Sequence, residues 1–152
     1  MKKILLSLIF VLVCAADSQG LPSYLPGLIQ PSSEGESVVQ RNGIHREYYD
    51  NGILEKELSY KNGQLDGRCR IYYKNGNLRK QVNYQKGIIE GKAYEFYENG
   101  QYKIEGNYKN GKIDAVNKMF YENGNLYSFM VYENGRLIKN MKLDRKGRTI
   151  TN

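Results

Sequence analysis

The 152 residues contain no tryptophan, a single histidine (His45) and two cysteines (Cys14 and Cys69). A metal centre built on Cys and His ligands, or a nucleophile activated through an imidazole, has almost nothing to draw on. Proline is scarce and confined: Pro22, Pro26 and Pro31 all precede residue 41. No apolar run approaches the roughly 20 residues of a membrane-crossing helix. Acid is in short supply, with 16 Asp and Glu against 23 Lys and Arg for a formal charge of +7. Hydrophobic residues at 40% and charged residues at 26% still allow a packed domain, and the length suits one.

The longest apolar run, Ile4 to Val13, follows Lys2-Lys3 and ends at Cys14-Ala15-Ala16. A basic start, a short apolar stretch and small residues at its end read as a secretory signal peptide over residues 1–16. The rival reading is a lipoprotein acylated on Cys14, for which Val13 is a poor preceding residue. Either cut removes two lysines and no acid, which leaves 21 − 16 = +5. Cleavage after Ala16 leaves Cys69 alone, so no intramolecular disulfide can staple the fold. Residues 17–40 hold the prolines and Ser32-Ser33-Glu34-Gly35-Glu36-Ser37 without helical or strand periodicity, and read as a flexible leader.

What the chain has in abundance is glycine (16) and tyrosine (14), at regular positions. Asn-Gly occurs eight times, and from Gly52 to Gly135 the glycine spacing alternates 11, 13, 11, 13, 11, 13, 11, with Lys86-Gly87 and Lys146-Gly147 in two further slots. The period is 24 residues with two turns, the signature of an array. Eight tyrosines, Tyr49, Tyr60, Tyr73, Tyr84, Tyr97, Tyr108, Tyr121 and Tyr132, stand three residues before these glycines. Asn-Gly between alternating segments signals a two-residue hairpin, because both central residues of its turn need positive φ. Residues 41–152 are therefore expected to form an all-β, extended antiparallel meander of about ten strands. With two-residue loops throughout, Tyr49 pairs with Leu54, Tyr60 with Leu65, Tyr73 with Leu78, Tyr84 with Ile89, Tyr108 with Ile113, Tyr121 with Leu126 and Tyr132 with Leu137. The same ladder sets Gly67 against Tyr84, Gly91 against Tyr108 and Ala115 against Tyr132, an aromatic over each small residue.

Units such as Tyr60 to Gly67 (Tyr-Lys-Asn-Gly-Gln-Leu-Asp-Gly) and Tyr121 to Leu126 (Tyr-Glu-Asn-Gly-Asn-Leu) resemble MORN repeats, in the variant form common in bacterial proteins. The resemblance runs from about Asn42 to Gly147. It departs at Ala115, where the pattern has a second glycine, at Lys86, which replaces a turn Asn, and in a degenerate last unit that reads as a cap. It implies an extended antiparallel sheet serving as a scaffold or binding surface, with phospholipid binding proposed for some members.

Alternation assigns Leu54, Leu58, Leu65, Cys69, Ile71, Leu78, Val82, Ile89, Ile104, Ile113, Met119, Leu126 and Met130, with the turn tyrosines, to one face, here face A. Face B begins charged, with Glu55, Glu57, Arg68 and Arg70. It becomes apolar toward the C-terminus at Val116, Phe120, Tyr127, Phe129 and Val131, with Phe120 opposite Tyr127 and Val116 opposite Val131. Tyr72, Tyr94 and Phe96 add a smaller aromatic group. These eight residues are the candidate partner-binding surface. His45 reads as a surface residue and Cys69 as a buried structural thiol. Asp66, Glu90 and Asp114 recur at one repeat position on strands too far apart to share a cation. No catalytic, metal or cofactor site is expected. The expected function is a secreted or envelope-associated, non-enzymatic module binding another protein, with no nucleic-acid partner. The alternative is a peripheral binder of anionic lipid or cell-surface polymer through its distributed lysines, among them Lys56, Lys61, Lys74, Lys80, Lys86, Lys92, Lys103, Lys109 and Lys118.

Overall fold

The computed structural model describes residues 41–150. The signal peptide expected over 1–16, with Cys14, and the leader expected over 17–40 lie outside the described residues. The strands are β1 (Gly43–Tyr48), β2 (Leu54–Lys61), β3 (Gln64–Leu65), β4 (Gly67–Tyr72), β5 (Leu78–Gln85), β6 (Ile88–Phe96), β7 (Tyr102–Lys109), β8 (Lys112–Ile113), β9 (Ala115–Phe120), β10 (Leu126–Glu133) and β11 (Arg136–Lys142). All lie in one antiparallel sheet in the order β1-β2-β4-β5-β6-β7-β9-β10-β11, with β3 on β2 and β8 on β7. Along that order each strand neighbours the next in the chain, which is the expected meander. The short strands β3 and β8 are the first parts of bent strands that continue as β4 and β9.

The turns divide into two classes. At Asn62-Gly63, Lys86-Gly87, Asn110-Gly111 and Asn134-Gly135 both residues have positive φ, with Asn62 at 52° and Gly63 at 78°. These are the expected two-residue hairpins, and the pairs Tyr60–Leu65, Tyr84–Ile89, Tyr108–Ile113 and Tyr132–Leu137 form as read. At Asn51-Gly52, Asn75-Gly76, Asn99-Gly100 and Asn123-Gly124 only the glycine is left-handed. There the tyrosine carbonyl accepts the glycine N–H, and the tyrosine N–H donates past the glycine to Ile53, Asn77, Gln101 or Asn125. This is a three-residue loop with a bulge at glycine. The asparagine keeps ordinary φ because its side chain accepts the N–H two residues on, as Asn75 Oδ1 does from Asn77 at 2.9 Å.

The difference overturns part of the expected register. Tyr49–Leu54, Tyr73–Leu78 and Tyr121–Leu126 do not pair; the pairs are Tyr48–Leu54, Tyr72–Leu78 and Phe120–Leu126, with Phe96–Tyr102 between them. Phe120 therefore faces Leu126 and not Tyr127. A one-residue shift reverses which face a side chain meets. Leu54, Leu78 and Leu126 accordingly lie on face B, not on face A.

Gly67, Gly91 and Ala115 do oppose Tyr84, Tyr108 and Tyr132. The reason for the small residue is backbone conformation, not a covering ring: their φ values are +103°, +79° and +55°. They sit where the register against the preceding strand shifts by two residues, so that Tyr60 meets Leu65 but Glu57 meets Arg70. A two-residue bulge keeps the faces in phase while it bends the strand.

Face A carries a core row. His45 faces Leu58, Cys69 faces Val82, Val82 faces Ala93, Ala93 faces Gly106, and Asn117 faces Met130. Leu58, Cys69, Val82, Ala93, Asn117 and Met130 are all buried. Where Gly106 leaves space, Asn117 fills it, and its Oδ1 accepts the Asn107 N–H at 3.0 Å. A parallel row on the same face mixes charge with hydrocarbon: Glu47, Lys56, Ile71, Lys80, Glu95, Ile104, Met119 and Ser128 follow one another across the sheet. Its buried Glu95 is satisfied by Lys103 at 2.8 Å and Lys80 at 3.5 Å.

Both turn edges are tied from one repeat to the next. On one, the hydroxyls of Tyr49, Tyr73, Tyr97 and Tyr121 donate to the carbonyls of Tyr72, Phe96, Phe120 and Leu143 at 2.7–2.9 Å. On the other, Asp66, Glu90 and Asp114 accept the N–H of Lys86, Asn110 and Asn134, the first residue of the neighbouring turn. The recurring acids thus hold adjacent hairpins together.

Candidate functional site

Face B is where the sequence placed its eight candidate residues, and the register decides which of them meet. The row Arg46, Glu57, Arg70, Gln81, Tyr94, Glu105, Lys118, Phe129 and Met141 crosses the sheet. Its first part is an ion-pair chain, with Arg46 2.8 Å and Arg70 2.7 Å from the Glu57 carboxylate. Burial pushes the Glu57 carboxyl up, but hydrogen bonds and charge from the two arginines outweigh it and hold the group below its ordinary range.

Beside this row, at the three-residue turns, run the pairs Tyr48–Leu54, Tyr72–Leu78, Phe96–Tyr102 and Phe120–Leu126. Tyr102 joins the groups that the sequence left separate. Its ring centroid is 4.9 Å from Phe96, 5.8 Å from Tyr94 and 6.2 Å from Phe120. Tyr94 and Phe96 are themselves 6.3 Å apart. These tilted contacts are in the range that stabilises aromatic pairs. Tyr102 remains 48% exposed. Sequence reasoning missed it because the bulge at Lys103 reverses its face. The available signal was that the same repeat position is Leu54, Leu78 and Leu126 in the other units.

The remaining candidates are more dispersed. Val116 faces Val131 and is 40% exposed. Phe129 lies between Lys118 and Met141. Glu105, 3.6 Å from Lys92 and 3.4 Å from Lys118, separates this apolar group from Tyr94. Tyr72 stays with Leu78, and Tyr127 packs edge-on against Tyr121 at 5.1 Å. Tyr127 thereby takes the place that Arg79 and Lys103 occupy over Tyr73 and Tyr97 in earlier repeats.

The chemistry offered is contact, not bond-making. Among the described residues no group of three His, Cys, Asp or Glu side chains could hold a metal ion. Cys69 is buried, and burial pushes its thiol up despite a hydrogen bond with the Ser59 backbone, which disfavours the reactive thiolate. His45 is exposed on the outermost strand, 3.8 Å from Glu47. Of the repeated lysines, Lys56, Lys80, Lys92, Lys103 and Lys118 are engaged by Glu47, Glu95 and Glu105, and Lys74 sits over the Tyr49 ring.

Comparison with protein families gives one result: the model of the MORN repeat variant matches residues 41–62, 65–86, 89–110 and 113–134. Each match ends on the first residue of a two-residue turn, so the matched unit coincides with the structural one. No curated protein matches the chain.

Proposed function

This chain belongs to the MORN repeat variant family, and from that premise we propose that it is a non-enzymatic binding module that presents the face B aromatic band to another protein. Repeats of this class are interaction modules for proteins or membranes and are typically non-enzymatic. The choice of a protein partner rests on one observation: Tyr102 stands half exposed at the centre of a four-ring cluster beside a charged row. Exposed aromatics with polar neighbours are what binding hot spots are made of. A lipid or polymer reading through the nine repeated lysines has few free charges to use, because six of the nine are already engaged. The module is proposed to act outside the cytoplasm, in keeping with the signal-peptide pattern of residues 1–16.

The test is retention of a discrete protein from an envelope fraction at about 1 M salt, where charge attraction is screened beyond about 3 Å. Retention is expected with the wild type and with a Lys61→Glu, Lys86→Glu, Lys109→Glu variant, and is expected to fail with Tyr102→Asp, Phe120→Asp. Capture that survives the aromatic changes and vanishes with the lysine changes would transfer the function to the basic turns.

A further inference from the structure

Positive charge is unevenly distributed along the described chain. Residues 41–135 carry 15 Lys and Arg against 12 Asp and Glu (+3), whereas residues 136–150 carry six against one (+5). The second stretch comprises β11 and the turn after it, at one end of the strand order. Its one acid, Asp144, is taken by Arg148 at 2.7 Å. Arg136, Lys139, Lys142 and Lys146 have no acidic partner among the described residues. Ile138 adds an apolar side chain that is 52% exposed.

Among the described residues most of the backbone of this edge is open as well. β4, β6 and β9 occupy the same phase of the 24-residue period as β11, and each has a strand on both sides. Among the described residues β11 has β10 on one side, while on the other only its end is met: Leu143 bridges Thr149, and the Lys142 carbonyl accepts the Ile150 N–H at 2.8 Å. In an antiparallel ladder a residue's N–H and C=O point the same way and alternate along the strand. Asn140, two residues before Lys142, therefore turns its backbone groups outward too. The beginning of an added strand is already present on this edge.

We propose that the outer edge of β11 receives an extended acidic segment of another protein, added to the sheet as a further strand. Main-chain hydrogen bonds give such additions their affinity, and side chains give them their selectivity. Lys139 shares face B with Val131 and Lys142 shares face A with Ser128, so cations flank the edge on both faces. An added strand meets both faces; a membrane plane meets one. A second copy docked edge to edge would bring +5 against +5, which rejects it. This surface is separate from the aromatic band and stands or falls independently of it.

The probe is a fluorescent synthetic peptide repeating Glu-Glu-Val-Val, which carries carboxylates on both faces of a strand, titrated against the full chain by anisotropy. Saturable binding is expected. It should weaken by about tenfold or more in Lys139→Glu, Lys142→Glu, and that variant should instead bind a Lys-Lys-Val-Val peptide. Methylating every peptide nitrogen, which leaves the charges in place, should abolish binding. Equal binding of the methylated peptide, no binding of the acidic peptide, or its displacement by phosphatidylserine vesicles would each overturn the proposal.

Discussion

Substituting Gly91 by alanine would isolate the energetic weight of a left-handed residue in the repeat bulge. Gly91 has φ +79°, and a Cβ built there meets no atom within 4 Å. Only the backbone penalty remains, about 1–2 kcal/mol for a residue with a Cβ in this region. Alanine also stiffens the unfolded chain, which returns roughly 0.4–1 kcal/mol. The net expectation is a loss of about 1 kcal/mol, or about 4 °C in Tm for a domain of this size. Two equivalent positions serve as controls. Gly67→Ala, at φ +103°, carries at least that backbone penalty, and its Cβ would lie 2.8 Å from Ser59 Oγ and 3.2 Å from Ser59 Cβ, so its loss should be larger. Overpacking of this kind adds about 1–3 kcal/mol. Ala115 already carries φ +55°, so Ala115→Gly should change stability by about 1 kcal/mol in the opposite direction. Urea unfolding followed by circular dichroism and tyrosine fluorescence would rank the three. Equal losses at Gly91 and Gly67, or a less stable Ala115→Gly protein, would refute the argument.

Tyr97→Phe deletes the hydroxyl that reaches the Phe120 carbonyl at 2.9 Å and should lower stability by about 1 kcal/mol in the same urea assay. Gly106→Ala would set a Cβ 2.7 Å from Asn117 Oδ1 and force that side chain off the Asn107 N–H; a loss of about 1–3 kcal/mol is expected, partly recovered by adding Asn117→Ala. Burial pushes the Tyr84 and Tyr108 hydroxyls up to about 12. Because the unfolded chain ionises near 10, their contribution is intact below about pH 10 and is lost as pH rises toward about 12. Phenylalanine at both positions should flatten that alkaline limb in unfolding experiments. Glu57, held low by Arg46 and Arg70, acts at the other end: its contribution is present above about pH 4.3 and is lost as pH falls through its lower folded value, so Glu57→Gln should soften the acid limb.

The period, the meander and half the turns were legible because Asn-Gly and the preceding tyrosine state them locally. The other half misled because the same Tyr-x-Asn-Gly string encodes two geometries. Asn62 and Asn110 adopt the left-handed conformation, whereas Asn75 and Asn123 use their side chains to accept the N–H two residues on. Sequence does distinguish them, though further along: the two-residue turns of β2, β5 and β7 are followed by Asp66-Gly67, Glu90-Gly91 and Asp114-Ala115, where the acid ties down the neighbouring turn. Tyr102 was illegible for the same reason, since its face depends on a bulge that only the three-residue loop creates. The six Lys and Arg of residues 136–150 are adjacent in sequence, beyond the repeated lysines that end at Lys118, but only the strand order shows that they lie along an outer strand of the sheet.

The four tyrosine hydroxyl bonds along the three-residue turns all point one way, from each hairpin toward the one that follows, beginning at Tyr49 and finishing on the Leu143 carbonyl. A chain shortened by residues 74–97 would join Tyr73 to Glu98, and Tyr73 would inherit the Phe120 carbonyl that Tyr97 now holds. Removal of a single strand with its turn would instead bring a left-handed two-residue turn to a place where a hydroxyl must find its acceptor. Spans available to such a chain are therefore quantised in steps of two strands, roughly 10 Å each, and the forward-pointing hydroxyls set the increment.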